Sequence, residues 1–294
     1  MSSVMYRPPF EADSFLLEVT EGCSHNRCSF CTMYRDVPYR MLETEAVENQ
    51  LKKAQPYAAR IERVFLEHGD PFSLSAGRLL AAADLVHRYL PQVRTIAMYA
   101  SINNIRTKTD AELRELRAAG INELNIGIES GLDDALRKMN KGYSASEALR
   151  QLTRLEEAGI LYGANIIFGC AGRALRKEHA RATADLLNRT HPYLIFTGTI
   201  HADPGCELHE EMQNGTFCEN TVGEYLEEEE LFLSLLDLSE TFFFGLHPSN
   251  IIRMQGWLMR DRERMLEEIG RQRERLSAYL DRHVKRGAEG AVYL

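Results

Sequence analysis

Apolar runs and amphipathic runs alternate along most of this chain. SFLLEVTEG (14–22) alternates and is rich in β formers, so it reads as a strand running into a polar loop. LETEAVENQLKKA (42–54) has helical spacing, RVFLEHGDPF (63–72) is a strand closed by a Gly-Asp-Pro turn, and SAGRLLAAADLVHRYLP (75–91) is a helix with a Ser start and a Pro stop. TIAMYAS (95–101) and ELNIGIES (123–130) read as strands. TDAELRELRAAG (109–120) and SASEALRQLTRLEEAG (144–159) read as helices, each stopped by glycine. LYGANIIFG (161–169) and YLIFTGTIHA (193–202) are strands, and EHARATADLLNRT (178–190) and TVGEYLEEEELFLSLLDL (221–238) are helices.

Six strand–helix units in succession imply parallel strands joined by crossover helices, an α/β architecture with strands buried on both faces. Six units fall short of the eight that close a full barrel. The pattern predicts a partial (β/α)6 TIM-like barrel, with an open doubly wound sheet fitting equally well. Residues 1–240 make the core. Residues 241–294 break the alternation with FFFGLHPSN and a charged helix, so a C-terminal α-rich extension is expected there, placed as a possible substrate lid. Its end, GAEGAVYL (287–294), is expected to be loose.

Composition narrows the class only a little. The 294 residues are 44% hydrophobic and 27% charged, within the range of soluble globular proteins. A net charge of −8 does not favour a polyanion, so nucleic acid is not an expected partner. No apolar run is long enough to span a membrane, and MSSVMYRPPFEAD lacks the apolar stretch of a signal peptide. A cytoplasmic location is expected, and with it six cysteines that serve as thiols or metal ligands rather than disulfides.

Three of the six cluster. TEGCSHNRCSFCTMY (20–34) holds Cys23, Cys28 and Cys31 in the spacing C-x4-C-x2-C, within a polar loop at the end of the first strand. Buried small cysteines would not be flanked by Ser, His, Asn and Arg. A zinc site needs four ligands. His25 could supply the fourth, at the cost of a strained chelate between two cysteines. An iron–sulfur cube held by three thiolates leaves one iron with an open position, and an open metal site is a chemical one. Strand-end loops are also where parallel α/β proteins carry function.

With these stretches in hand, the chain resembles the radical S-adenosylmethionine (SAM) enzymes. Phe30 stands at the family's aromatic position between the last two cysteines. EHGDP (67–71) is similar to the segment whose backbone receives the SAM amino group. IGIESG (126–131) is similar to the segment whose acidic residue meets the ribose. IIFGCAG (166–172) is similar to the segment along the adenine. The segments occur in family order, and the resemblance covers about residues 14–240. The first cysteine gap is one residue longer than the commonest spacing, and the stretch YRPPFEADSFLLEVTEGCSHNRCSFCTMYRD (6–36) resembles a coproporphyrinogen-oxidase-like subgroup.

The resemblance implies a [4Fe–4S] cluster on Cys23, Cys28 and Cys31, with SAM chelated at the open iron. Reductive cleavage of SAM would yield a 5′-deoxyadenosyl radical that takes a hydrogen atom from a small organic substrate. The cofactor carries that chemistry and the protein orients it and excludes water. An electron donor such as flavodoxin or ferredoxin is then a required partner, and the activity is classed as an oxidoreductase.

Glu129 is expected at the ribose, as opposed to a strand-end salt bridge. Gly69 would admit the SAM backbone contact, and Asp70 would hold the amino group or make the turn. Ser101 and Asn103 would meet ribose or carboxylate, or turn the loop. Lys141 would pair with the SAM carboxylate or stand in solvent. Cys170, at the end of the fifth strand, is a candidate hydrogen-atom donor or a buried small residue. Cys206 and Cys218 are too sparse for a second cluster.

Arg260, Arg262 and Arg264 would hold an anionic substrate or belong to a solvated helix, and EYLEEEEL (224–231) reads as a solvated helix face. Modification of a protein or tRNA, or a non-catalytic iron–sulfur carrier, are the alternatives to small-molecule chemistry.

Overall fold

A computed structural model describes residues 7–280, with side chains placed up to residue 275. The expectation for GAEGAVYL lies outside the described residues, as does that for the first six. In chain order the elements are β1 (Phe15–Leu17), β2 (Thr20–Glu21), β3 (Arg40–Met41), α1 (Thr44–Ala54), β4 (Arg63–Leu66), α2 (Ala76–Tyr89) and β5 (Thr95–Ala100). Then come α3 (Ile102–Arg106), α4 (Asp110–Ala118), β6 (Ile121–Glu129), α5 (Asp133–Lys138), α6 (Ala145–Ala158), β7 (Leu161–Phe168) and α7 (Gly172–Asn188). The rest are β8 (Leu194–Thr199), α8 (Glu207–Asn214), α9 (Val222–Leu235), β9 (Phe242–Phe244), β10 (Gln255–Trp257) and α10 (Leu258–Leu280).

The main sheet counts eight strands and is mostly parallel, and among the described residues no pairing closes it into a barrel. The chain divides into two compact units. The first takes the chain up to Asn26, Met33–Gly127 and Gln151–Tyr162. The second takes Arg27–Thr32, Ile128–Arg150 and the described residues from Gly163 on.

In the first unit β1, β4, β5 and most of β6 run side by side in parallel. Leu17, Phe65, Met98, Leu124, Leu79 and Leu113 are fully buried around them. Burying six such side chains contributes about 1.5–3 kcal/mol each. The floor of the unit is polar. Arg63 on β4 lies 2.6 Å from both Glu11 and Glu123, and Glu11 is wholly buried. Burial opposes the charge on Arg63, but the two carboxylates outweigh it and raise its pKa. Two helices begin with reciprocal caps, Ser101 with Asn104 on α3 and Thr109 with Glu112 on α4.

In the second unit β7, β8 and β9 are parallel, and β10 returns antiparallel to β9. The tail expected to break the alternation therefore adds two strands before its long helix. The reason is local: FFF is a run of strong β formers, and Phe243 is fully buried beside Ile195. Helix α9 packs on α7 and carries α10 on another side. The run of four glutamates is not a solvated face throughout. Glu228 and Glu229 are buried along with Tyr225, Phe232 and Leu233, because they fall on the buried stripe of α9.

Candidate cofactor site

The cysteine loop is assembled from its two ends. Gly22 opens it with φ 74°, and a Cβ there would meet the Val37 carbonyl at 2.9 Å, so only glycine makes this turn. Cys23 follows, and its Sγ lies 3.5 Å from the Asn26 backbone N–H. Asn26 takes φ 40° and donates from Nδ2 to the Tyr34 carbonyl at 2.8 Å.

Around Cys23 in the first unit stands the EHGDP turn. The Gly69 N–H donates to the Gly22 carbonyl at 3.1 Å. A Cβ on Gly69 would lie 2.8 Å from both Cys23 Cβ and Tyr34. Glycine is thus demanded by the chain's own packing against Cys23. His68, with φ 73° and full burial, brings Nε2 to 3.2 Å from Glu18 Oε1. Asp70 Oδ2 accepts from Ser24 Oγ, while Oδ1 is buried with no partner that meets hydrogen-bond geometry. Burial pushes the Asp70 carboxyl up to about 6, against the weaker pull of Ser24 and Asn104. Burial and the nearby Glu18 push Glu67 up to about 7. The Ser101 hydroxyl accepts from the Asn104 N–H and caps α3.

Cys28 and Cys31 belong to the second unit. The Cys31 N–H closes a turn on the Cys28 carbonyl at 3.2 Å. Ser29 anchors that turn: its N–H and Oγ donate to the carbonyls of Met139 and Lys138, and its carbonyl accepts from the Leu208 N–H. Thr32 donates to Asp203 at 2.7 Å, and Asn140 donates to the Arg27 carbonyl at 2.8 Å. Phe30 is half-buried on this turn. No cysteine of the six is in a disulfide.

Glu129 ends β6 in an unusual conformation. Its φ is 64°, and the Ser130 N–H donates to the Ile128 carbonyl at 2.8 Å, two residues back. Those two features define the left-handed γ-turn, a rare and strained form. The Tyr143 hydroxyl donates to the same Ile128 carbonyl at 3.0 Å. Lys141 Nζ donates to Glu129 Oε1 at 3.0 Å, with both side chains about nine-tenths buried. Burial works against the Lys141 charge, but Glu129 and Tyr143 beside it hold its pKa well above the usual lysine range. So the structure brings Glu129 and Lys141 together, although the sequence reading assigned them to separate parts of the ligand.

Cys170 follows β7 and is fully buried. Its Sγ lies 3.3 Å from His179 Nε2 and donates to the Glu129 carbonyl at 3.9 Å. His179 and Glu228 escaped sequence analysis. The available signal was periodicity: the buried positions of α9 run through Tyr225, Glu228, Glu229 and Phe232, which places two acids on an inward face. The other flagged groups fall away from this region. Cys206 caps α8 by accepting the His209 N–H at 3.4 Å, and Cys218 is exposed. Arg260 and Arg264 pair with Asp261, and Arg262 donates to the Leu236 carbonyl.

The residues suit the two groups implied. Among the described residues no three His, Cys, Asp or Glu side chains gather at a single ion. A cube takes one thiolate per iron, so its cysteines surround the cluster rather than meet at one point. Three thiols within nine residues fit that demand by number and spacing. A buried, unpartnered carboxylate oxygen on Asp70 fits an ammonium, and a carboxylate at a strand end fits a pair of hydroxyls.

These features define a mostly parallel α/β protein with a cysteine loop after its first strands and acidic groups at its strand ends. The family model described as "Radical SAM superfamily" matches residues 17–187, more than half of the chain. This chain belongs to the radical SAM superfamily, and with that membership come its cofactors, a [4Fe–4S] cluster and SAM.

Among curated relatives, the heme chaperone HemW of Bacillus subtilis is 25% identical over 203 residues, covering 68% of this chain and 52% of that protein. The tRNA-2-methylthio-N(6)-dimethylallyladenosine synthase of Chlorobium luteolum is 26% identical over 217 residues, 71% of this chain and 45% of that one. The chain thus spans about half the length of these relatives. Among solved structures, methylornithine synthase PylB superposes with a TM-score of 0.54 at 15% identity, covering 90% of this chain and 81% of that one. The radical SAM methyltransferase TsrM of Kitasatospora setae, solved with cobalamin and a [4Fe–4S] cluster, gives 0.54 at 19% identity over 69% of this chain and 39% of its own. Both share the partial-barrel fold, and no described helix is long and apolar enough to cross a membrane.

Proposed function

We propose that this enzyme abstracts a hydrogen atom from a small organic substrate. Cys23, Cys28 and Cys31 hold the cluster, Asp70 and the Gly69 backbone receive the SAM amino group, and Glu129 takes the ribose hydroxyls. Lys141 holds the Glu129 carboxylate in place and adds positive charge for the SAM carboxylate. Phe30 packs on the cluster loop. The cluster and SAM together supply one-electron cleavage of a carbon–sulfur bond, and with it a primary carbon radical. The protein's share is orientation and exclusion of water. Residues 1–240 act as the core in this reading, and the tail from His247 to Arg262 caps the substrate.

The observation that carries the reading is the Glu129 turn. A carboxylate held on a strained, left-handed backbone persists only where its surroundings over-determine it, and such strain concentrates at functional sites. A net charge of −8 favours a small substrate over tRNA. Six cysteines without a disulfide suit a reducing compartment such as the cytoplasm, where flavodoxin or ferredoxin can supply the electron.

The test is anaerobic reconstitution with iron and sulfide, followed by dithionite and SAM. The expected outcome is release of 5′-deoxyadenosine. An intact cluster that binds SAM without releasing it would favour a carrier role. Stimulation by bulk tRNA would favour nucleic-acid modification over a small substrate.

A further inference from the structure

The γ-turn at Glu129 places a costly backbone where the ribose is to be held. Non-glycine residues with positive φ of this kind cost about 1–3 kcal/mol and need outside support. Two supports are described above: Tyr143 on the Ile128 carbonyl, and Lys141 on the carboxylate. The third reaches the Glu129 carbonyl itself, and it begins on α9.

Glu228 on α9 is wholly buried. It accepts from the Gly169 N–H at 3.1 Å with both oxygens, from Asn220 Nδ2 at 2.7 Å, and from His179 Nδ1 at 2.6 Å. Three donors thus converge on this one carboxylate. Its neighbour Glu229 has no such set of donors. Burial and the adjacent Glu228 push the Glu229 carboxyl up to about 8.

Proton order along the chain follows. Cys170 Sγ donates to the Glu129 carbonyl at 3.9 Å and also lies 3.3 Å from His179 Nε2. A thiol has one proton. If that proton goes to Glu129, the His179–Cys170 bond needs its proton from Nε2. Nδ1 donates to Glu228 at the same time, so His179 carries both ring protons. The Glu228 carboxylate faces that imidazolium at 2.6 Å. The chain then runs in one direction: Glu228 accepts from His179, His179 donates to Cys170, and Cys170 donates to Glu129. All three side chains have zero solvent exposure, so no substrate atom competes for the thiol.

We infer that Glu228, His179 and Cys170 form a hydrogen-bonded brace that holds the Glu129 turn in its ribose-binding conformation. Cys170 is a positioning residue in this arrangement, a different task from hydrogen-atom donation. The inference rests on the reading of Glu129 as the ribose ligand.

The experiment compares wild type, Cys170→Ala, Cys170→Ser and Glu129→Gln, each reconstituted anaerobically. Iron and sulfide content per chain reports cluster loading, and equilibrium dialysis against SAM reports affinity. Cys170→Ala should load the cluster as wild type does and weaken SAM binding about tenfold, the scale of one lost hydrogen bond. Cys170→Ser keeps both an acceptor and a donor and should recover most of that affinity, although it cannot readily give up a hydrogen atom. In the Glu129→Gln background, Cys170→Ala should add little, because its effect passes through Glu129.

Full SAM affinity in Cys170→Ala overturns the brace, as does full additivity with Glu129→Gln or a serine no better than alanine. Should Cys170→Ala fail to fold, Glu228→Gln is read in the same way, since it removes the charge that keeps His179 doubly protonated. A folded Glu228→Gln protein with wild-type affinity also overturns it. Failure of wild type, or an unaffected Glu129→Gln single variant, instead removes the ribose assignment, so the two failures are distinct.

Discussion

Lys141 Nζ lies 3.0 Å from Glu129 Oε1, with both groups almost wholly withdrawn from water. Such a pair gains little net stability when whole, because desolvation offsets attraction, but loses much when halved. Lys141→Met leaves the Glu129 carboxylate buried alone. It should destabilise the protein by about 3–5 kcal/mol in urea denaturation. Combining it with Glu129→Gln should return a large part of that loss. A double variant no more stable than Lys141→Met would mean the pair is not coupled.

Gly69 should not tolerate a methyl group. The added Cβ would sit 2.8 Å from Cys23 Cβ and from Tyr34, inside the distance real Cβ contacts show. Gly69→Ala is expected to cost about 1–3 kcal/mol by overpacking. It should also lower iron content per chain, since the atom displaced belongs to a cluster thiol residue. Full iron loading with unchanged stability would show that the turn relaxes freely.

The buried Glu229 makes stability depend on pH with a definite sign. Its carboxyl is raised to about 8 in the folded chain from an ordinary 4.5. Between those values the folded state holds a proton that the unfolded state has released. Stability therefore falls as pH rises through that window, by up to about 1.4 kcal/mol per pH unit, and this contribution is flat below it. Glu229→Gln cannot ionise. It should match wild type near pH 5 and exceed it at pH 8 by roughly 2–4 kcal/mol. Parallel urea curves at the two pH values decide it, and an equal offset at both would refute the assignment.

Ser101 is expected to matter for stability and not for the cofactor. Its hydroxyl closes a reciprocal cap with Asn104 at the start of α3. Ser101→Ala should cost about 0.5–2 kcal/mol, the usual range for losing such a cap. SAM affinity, measured by dialysis on the reconstituted protein, should stay within twofold of wild type. A large loss of affinity at unchanged stability would return Ser101 to the ligand.

The alternation of strand and helix was legible because apolar runs such as TIAMYA and LYGANIIF end at loops, and because Gly120 and Gly159 stop their helices with φ of 86° and 73°. The short helices α3, α5 and α8 were not. Each is too brief to show a period, and α3 is announced only by its cap. The strand at Phe242–Phe244 was hidden for the same reason, three residues being too few to alternate visibly. At the candidate site, the cysteine spacing and the IGIES segment marked a loop and a strand end by sequence alone. The support behind them did not show, because charge was read as exposure. Glu228 looked like one of four solvated acids, and His179 sat in a run that otherwise read as an ordinary amphipathic helix. Their burial follows from which side of α9 and α7 they occupy, and that was recoverable from spacing alone.

The small pairing of Thr20 and Glu21 with Met41 and Arg40 has a consequence for how this loop can change. It clasps both ends of the cysteine segment at one point, so slack between them does not reach the strands. A residue gained or lost between Cys23 and Cys28 is absorbed within the clasped span. That accounts for the four-residue gap on an otherwise ordinary scaffold, and it marks this span as the place where length variants can arise while the sheet keeps its register.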